Sequence, residues 1–478
     1  MSHPTHHAHR PGINRLFFCL LGILASMLLL GCETQPVQNP DTAAPELSTR
    51  YRNDSADTPE EVSEPDAWWR QFGDAELDRL VERALLGNPD LKIADLRVKQ
   101  AIARADQVRA GGKPSVNLPI LAATQAPGGT VGSVPVSNSI RTVQTSYQAS
   151  LQVSYRVDLW GEQSSRGESA DQQVLRACFE SDNERRNVVA TVVNLYVSWL
   201  SLNDSIRLAQ DNIDASEYIL NQIEKRYALG DATIAELEQQ RGAVAVQKSN
   251  LPYLLQQQED TRSQLTQAMG LRSSELVLPE AGLSRLRLQT IKAGLPSSLL
   301  LRRPDVRAVE ARMRAARADI DVARARFLPT LDLAAQGGVS ALSIAQLLRP
   351  ESLFWNTIAS VTASVFDGGR RESERALAQA YYEEMVVTYG KVVYQAVREV
   401  ENGLFLLRAS GQRYDAQAEA VRASKRVLDA AVLAYQAGAL DLASVLDASR
   451  NHQRQTDEWL RSKAEALRAY VVLARALG

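Results

Sequence analysis

VQTSYQASLQVSYRV, residues 143–157, alternates without a break. Val143, Thr145, Tyr147, Ala149, Leu151, Val153, Tyr155 and Val157 fall on one face of an extended strand. Gln144, Ser146, Gln148, Ser150, Gln152, Ser154 and Arg156 fall on the other. Strict period-two alternation marks a strand whose faces meet two different solvents. The run exceeds an ordinary strand of about 5–6 residues. It suits the roughly 9–11 residues of a strand that crosses a bilayer, apolar outward and polar toward a wet lumen. Tyr147 and Tyr155 stand about 27 Å apart at about 3.4 Å per residue, which tilting shortens toward the height of a hydrocarbon band. Taken alone, the run also suits a soluble sandwich, so its surroundings decide.

Residues 1–31 read as a signal peptide: Arg10 and Arg15 precede the apolar run FFCLLGILASMLLL, Phe17 to Leu30. Leu29-Leu30-Gly31-Cys32 resembles a bacterial lipobox, with Leu30 where a small residue is usual, and makes Cys32 the expected lipid attachment site. Glu33 follows where the inner-membrane retention signal of such lipoproteins has Asp, so export to the outer membrane is expected. Residues 32–65 form a lipidated extended linker, rich in Pro, Thr, Asp, Glu and Ser and without periodicity. Past residue 9 only His452 remains, and past Cys32 only Cys178. Neither a disulfide nor a His/Cys metal cage fits such a chain, and a His-based catalytic scheme would rest on His452 alone. The net charge of −2 leaves no nucleic-acid footprint. We expect no enzyme, no catalytic or metal residues and no cofactor beyond the lipid on Cys32.

The chain is written twice. NPDLKIADLRVKQAIARADQVRAGGKPSVNL begins at Asn88 and RPDVRAVEARMRAARADIDVARARFLPTLDL at Arg303. In both, Pro-Asp opens a helix, and a second proline (Pro114, Pro329) closes it ahead of a strand. YALGDATIAEL, from Tyr227, matches YQAGALDLASV, from Tyr435, and Asp158-Leu159-Trp160-Gly161 matches Asp367-Gly368-Gly369. Each half reads helix, strand, loop, strand, long helix, turn, long helix. The strands are expected at 116–126, 143–157, 330–339 and 357–366. Four strands close no barrel, and an open edge in lipid leaves backbone groups unsatisfied, so copies must associate. Three give 12 strands, enough for a lumen, whereas side chains would largely fill an eight-stranded barrel.

From Glu162 to Leu229 no proline occurs, which predicts a helix about 100 Å long. Its seam runs Val192, Leu195, Trp199, Leu202, Ile206, Ala209, Ile213, Ser216, Leu220, Ile223, Tyr227, in coiled-coil spacing. The second seam runs Val393, Val397, Val400, Leu404, Leu407, Gly411, Tyr414, Ala418, Val421, Lys425, Leu428, Val432, Tyr435, with Lys425 its anomaly. Both long helices are expected to turn at Gly230 and Gly438, and Pro252 to kink the first return helix. None has a run of about 20 apolar residues, so they belong in the periplasm.

WWRQFGDAELDRLV (68–81), NPDL (88–91), DLWG (158–161), Leu251-Pro252, GLPSSLLLRRPDVRAVEARM (294–313), FDGGR (366–370) and Tyr-x-x-Gly at both turns resemble the TolC-like outer membrane factor family. The resemblance is to its lipoprotein branch, which serves tripartite efflux pumps. It implies a mostly α fold with a membrane β-barrel, four transmembrane strands per chain. A homotrimer would form a 12-strand barrel above a periplasmic α-helical tunnel. The repeats would span 66–270 and 296–478, joined by an equatorial linker, 271–295. The implied partners are a periplasmic adaptor, an inner-membrane transporter and outer membrane lipid. By the same resemblance Lys425 and Asp429, with Asp214 and Glu217 at similar depth, are aperture candidates. The small tip residues Ala228, Gly230, Ala437, Gly438 and Ala439 are partner-docking candidates.

The leading reading is a passive exit duct for drugs, metals or other toxic solutes, driven by its partner because no nucleotide motif exists here. A duct for secreted polypeptides is a second reading, against which the lipobox and the RRPDV motif speak. A periplasmic adaptor lipoprotein is a third, but an adaptor has one helical hairpin between β-rich halves, and this chain carries two.

Overall fold

Proline breaks, glycine turns and the two written halves translate into matched elements. The computed structural model describes residues 51–53, 65–125, 130–131, 134–135, 143–287 and 302–478. All of these belong to one unit, Pro45–Gly478. The signal segment, Cys32, most of the linker and residues 288–301 lie outside the described residues.

A short 3-10 stretch, Pro65–Phe72, leads into α1 (Ala75–Gly87). In the first half follow α2 (Pro89–Ala110), α3 (Glu162–Ala228) and α4 (Ile234–Ala268). In the second come α5 (Pro304–Ala325), α6 (Arg370–Gln436) and α7 (Leu442–Leu477). α2 and α5 both have 22 residues, and α3 and α6 both have 67, so the repeat is one of length as well as of motif. Helices of 67 residues extend for about 100 Å. α4 runs through Pro252 as a single helix. Among the described residues no helix is long and apolar enough to cross a membrane.

The strands are β1 (Ser115–Asn117), β2 (Ile120–Gln125), β3 (Thr130–Val131), β4 (Val134–Pro135), β5 (Gln144–Val157), β6 (Thr330–Ala341) and β7 (Leu353–Thr362). Among the described residues β3 and β4 pair only with each other. The main sheet is antiparallel, with β1 and β2 on one side of β5, then β6, then β7. Two strand expectations need correction. The first strand is interrupted at Pro119, which carries no N–H for the ladder, although its carbonyl still accepts from Ser150 at 3.2 Å. Register is kept across the gap, Asn117 facing Gln152 and Ile120 facing Ala149. The last strand is 353–362, not 357–366. β6 begins at Thr330, directly after Pro329, so Thr362 is the last residue with a partner. Val365 and Phe366, beyond it, are almost fully exposed.

The main core forms a girdle around the middle of the long helices. Trp68, Trp69, Phe72, Leu77 and Leu80 pack with Val192, Val193, Tyr196, Leu200 and Tyr470. Residues 271–287 are laid across α3 by polar bonds: Trp199 and Asn203 donate to the Pro279 carbonyl at 2.9 and 3.0 Å, and Leu283 N–H donates to Asp204 at 2.8 Å. A second cluster joins Val306, Val393, Val400, Leu473 and Leu477 and includes Tyr51, which is 3% exposed. The linker is therefore docked at this point: Asn53 N–H donates to Glu401 at 3.0 Å, and Arg408 donates to the Asn53 carbonyl at 2.5 Å.

Candidate functional site

Residues directly opposite in an antiparallel ladder share a face. One face of the sheet carries Tyr147, Ala149, Leu151, Val153 and Tyr155, with Val339, Gly337, Ala335 and Leu333 of β6 and Leu353, Trp355, Thr357, Ala359 and Val361 of β7. The other carries Gln148, Ser150, Gln152, Ser154 and Arg156, with Ser340, Gln336 and Asp332, then Asn356 and Ser360. The segregation read in β5 thus extends over neighbouring strands, with Phe354 and Ile358 as apolar intruders on the polar side. Polar residues bond one another across that face: Gln336 donates to Ser150 Oγ at 2.8 Å. Gly338 has no room for a side chain, since a Cβ there would lie 2.1 Å from the Ala149 carbonyl oxygen. Among the described residues of one protomer, both β1/β2 and β7 have an outer edge without a partner strand.

Each long helix leaves the sheet through the same device. Asp158 accepts the N–H groups of Gln163 and Ser164 at 3.1 and 2.8 Å, and Asp367 those of Gly369 and Arg371 at 3.1 and 3.3 Å. These explain DLWG and FDGG: an acid takes up orphan helix donors, and the glycines at 161 and 369 turn the chain into the helix.

The Asn/Arg-Pro-Asp motifs splice helices end to end. Asn88 accepts from Asp90 and Leu91 N–H at 2.8 and 3.1 Å while its amide donates to the Ala268 carbonyl at 2.7 Å, joining α2 to the end of α4. Arg303 occupies the equivalent place and donates to the Ala476 carbonyl at 3.0 Å, joining α5 to the end of α7. Its guanidinium also binds both Asp305 oxygens at 3.0 and 2.6 Å and Glu399 at 2.7 Å. Burial disfavours ionised Asp305, but hydrogen bonds and charge from Arg303 outweigh it and hold the carboxyl below its usual range. Nearby, burial and then the Arg303 charge bring Arg186 down to about 10. Sequence reasoning singled out RRPDV without seeing this hub; the equivalence of Arg303 with Asn88 was the available signal.

At the far end both turns close identically. Asp231 N–H bonds the Arg226 carbonyl at 2.8 Å, and Ala439 N–H the Ala434 carbonyl at 2.9 Å, with Gly230 and Gly438 at φ 83° and 71°. This is the glycine-terminated helix end in which an L side chain is strained. Thr233 and Glu236 then form a capping box, and Asp441 caps Ser444 at 2.9 Å. Ile223, Leu237, Leu442 and Leu446 bring the two turns into one apolar cluster, and Arg226 bridges them by donating to Tyr435 Oη. Ala228, Gly230, Ala437, Gly438 and Ala439 are all exposed there.

Of the aperture candidates, Lys425 and Asp429 meet each other within one protomer, whereas Asp214 and Glu217 bond elsewhere. Lys425 bonds Asp429 at 2.8 Å, with both side chains 56% exposed. Glu217 pairs with Lys248 of α4 at 2.5 Å, and Asp214 accepts from Gln210 at 3.1 Å. The seam assignment of Lys425 is corrected: Ser424 is the buried residue, its hydroxyl 3.0 Å from His452 Nδ1. A satisfied serine enters the seam at lower cost than an ammonium. Burial, then Lys425, lower the His452 pKa, against a smaller upward pull from Asp429.

The model of the outer membrane efflux protein family matches residues 80–271 and 295–478. The pyoverdine export outer membrane protein OpmQ of Pseudomonas putida is 34% identical over 463 residues, 96% of either chain. The probable outer membrane lipoprotein SilC of Salmonella typhimurium is 28% identical over 443 residues, 90% of this chain and 92% of its own. The solved outer-membrane channel OprN superposes with a TM-score of 0.83 at 25% identity, covering 92% of this chain and 98% of that one. A segregated sheet continuing into two matched pairs of long helices, with both halves covered by one family model, leads to a single assignment: the chain belongs to the outer membrane efflux protein family.

Proposed function

We propose that three copies of the chain close a 12-stranded barrel and form the passive outer membrane duct of a tripartite efflux system. The duct receives small solutes, drugs or metals among them, from an inner-membrane transporter through a periplasmic adaptor. The observation that carries this reading is the sheet: apolar on one face, polar on the other, with both edges unpaired among the described residues of a single protomer. In lipid such edges must be closed, and copies of the same chain supply matching ones. The duct performs no catalysis and needs no cofactor; a lipid on Cys32 supplements the barrel's hold on the membrane.

The exposed alanines of the two turns form the docking surface for the partner complex. Full-length protein extracted into detergent is expected to sediment as a trimer. Ala228→Trp and Ala439→Trp should leave that trimer intact while abolishing efflux. A monomer at all concentrations would overturn the duct, and normal efflux from both variants would overturn docking at the tips.

The resting duct is closed at its periplasmic end, and Lys425 with Asp429 forms part of the closure. Their exposure on α6 leaves the pair available to the pore or to a neighbouring protomer. Within one helix such a pair contributes only about 0.2–0.5 kcal/mol, so its effect comes from three copies acting together. Lys425→Ala is expected to raise vancomycin uptake at unchanged trimer level; unaltered uptake would return the pair to an ordinary surface role.

A further inference from the structure

Arg156 and Asp332 are the two charged side chains among the described strand residues. They stand directly opposite each other in the β5–β6 register, on the polar face, whose other members on β5 are neutral glutamines and serines. Arg156 Nε donates to Asp332 Oδ1 at 2.7 Å and Nη2 to Oδ2 at 3.4 Å. The pair sits one residue from the end of β5 and two from the start of β6, at the rim where the strands give way to the helices. A cavity of 460 Å³ opens beside it, lined also by Lys113, Asp158, Glu162 and Arg166. Asp158 is engaged in capping α3, and Glu162 is bound by Arg166 and Arg326, so those carboxylates are committed to the protein. Within the strand pair the cation is the more exposed member, 60% against 40% for Asp332.

We propose that Arg156 and Asp332 form a charge-selective neck of the duct, with Arg156 presented to the passing solute so that anionic solutes are favoured over cationic ones of equal size. The proposal rests on the trimeric barrel, which repeats the pair three times at one height. Rings of charge in a low-dielectric wall focus the field on the pore axis. A neutral polar ladder above the ring wets the passage without discriminating by sign. The duct itself, and not its inner-membrane partner alone, then sorts cargo by charge.

The test reads the potential at the neck from the exterior, whether or not the periplasmic end is closed. Full-length protein carrying Ser154→Cys and Cys178→Ala is treated in outer membranes with a cationic and an anionic methanethiosulfonate of similar size. The parent without Ser154→Cys serves as the blank. Position 154 lies two residues from Arg156 on the same face, about 7 Å away. The anionic reagent should react faster, relative to a free thiol in solution. Arg156→Gln should raise the cation-to-anion rate ratio about three-fold at 0.1 M salt, and Asp332→Asn should lower it by a similar factor. Both shifts should shrink at 1 M salt, where the screening length falls to about 3 Å. Rates that neither substitution moves, at equal trimer level, would make the pair a rivet for strand register and end the proposal while leaving the duct. An introduced thiol at position 154 that reacts with neither reagent would remove the wet lumen itself, and the proposal with it.

Discussion

Arg303→Ala is expected to produce the largest loss of stability of any single change considered for this chain. The guanidinium is 7% exposed and holds Asp305, Glu399 and the Ala476 carbonyl together. Its removal takes the shared cation from two carboxylates and a helix-end carbonyl, leaving Asp305 with the Val306 N–H at 2.9 Å and Glu399 with the Gln395 amide at 3.0 Å. Removing one partner of a fully buried ion pair costs about 3–5 kcal/mol; Asp305 and Glu399 are 33% and 30% exposed, so the loss should fall toward the lower end of that range. The temperature at which detergent-extracted trimers dissociate should fall steeply. Arg303→Lys should restore little, since one ammonium has no planar fork to bind two carboxylates and a carbonyl together. A dissociation temperature unchanged by Arg303→Ala would show that the hub contributes nothing.

The pH dependence of that loss has a definite sign. Asp305 and Glu399 both have lowered pKa values, with burial opposing ionisation and hydrogen bonds outweighing it, from Arg303 for Asp305 and from Gln395 and Arg303 for Glu399. A carboxyl with a depressed folded value stabilises the protein above its unfolded pKa, about 3.9–4.3, and loses that contribution as pH falls through the folded value. Wild-type stability from these groups should therefore be flat between neutrality and about pH 5. In Arg303→Ala the carboxylates repel each other without the guanidinium between them, so mild acid should recover part of the lost stability. A variant that loses further stability on mild acidification would contradict this account.

Arginine scanning of the sheet should separate its two faces. Leu151 and Val361 lie on the apolar face, Gln148 and Ser360 on the polar one. Leu151→Arg, mid-strand in β5, should cost about 2–4 kcal/mol near the bilayer midplane and abolish trimer insertion, and Val361→Arg, one residue from the end of β7, should cost less, about 0–1 kcal/mol near the interface. Gln148→Arg and Ser360→Arg should insert normally and alter conductance. The measurement is the yield of heat-resistant trimer in outer membranes. Equal loss from Leu151→Arg and Gln148→Arg would refute the assignment of faces.

Much of this architecture is legible in the residue order, for identifiable reasons. Alternation over 143–157 specifies a two-faced strand because a one-residue slip would move every side chain to the wrong solvent. The paired Pro-Asp starts, the proline stops and the tip glycines mark helix ends because backbone chemistry acts locally. The repeat carried those boundaries from one half to the other, and both long helices have 67 residues. Non-local pairing was not legible. The last strand moved to 353–362 because its extent is set by its partner β6, and Leu-Phe-Trp at 353–355 shows no alternation of its own.

The same division holds at the level of single residues. Heptad counting put Lys425 in the seam, yet adjacent positions 424 and 425 both fit the spacing within one step. Packing chose Ser424 because α7 presents His452 to its hydroxyl. The docking of Tyr51 and Asn53 on α6 joins residues some 350 positions apart, as shown by Asn53 and Glu401, and leaves no local pattern. Arg303 likewise reads as one arginine among many until α5, α6 and the end of α7 converge on it. By itself the sequence determined the two-faced strands, the helix lengths, the turns and the duplication, all governed by neighbours in the chain. Only the tertiary structure decided strand register, seam occupancy and the Arg303 hub, because each depends on which distant groups satisfy a buried charge or an unpaired backbone.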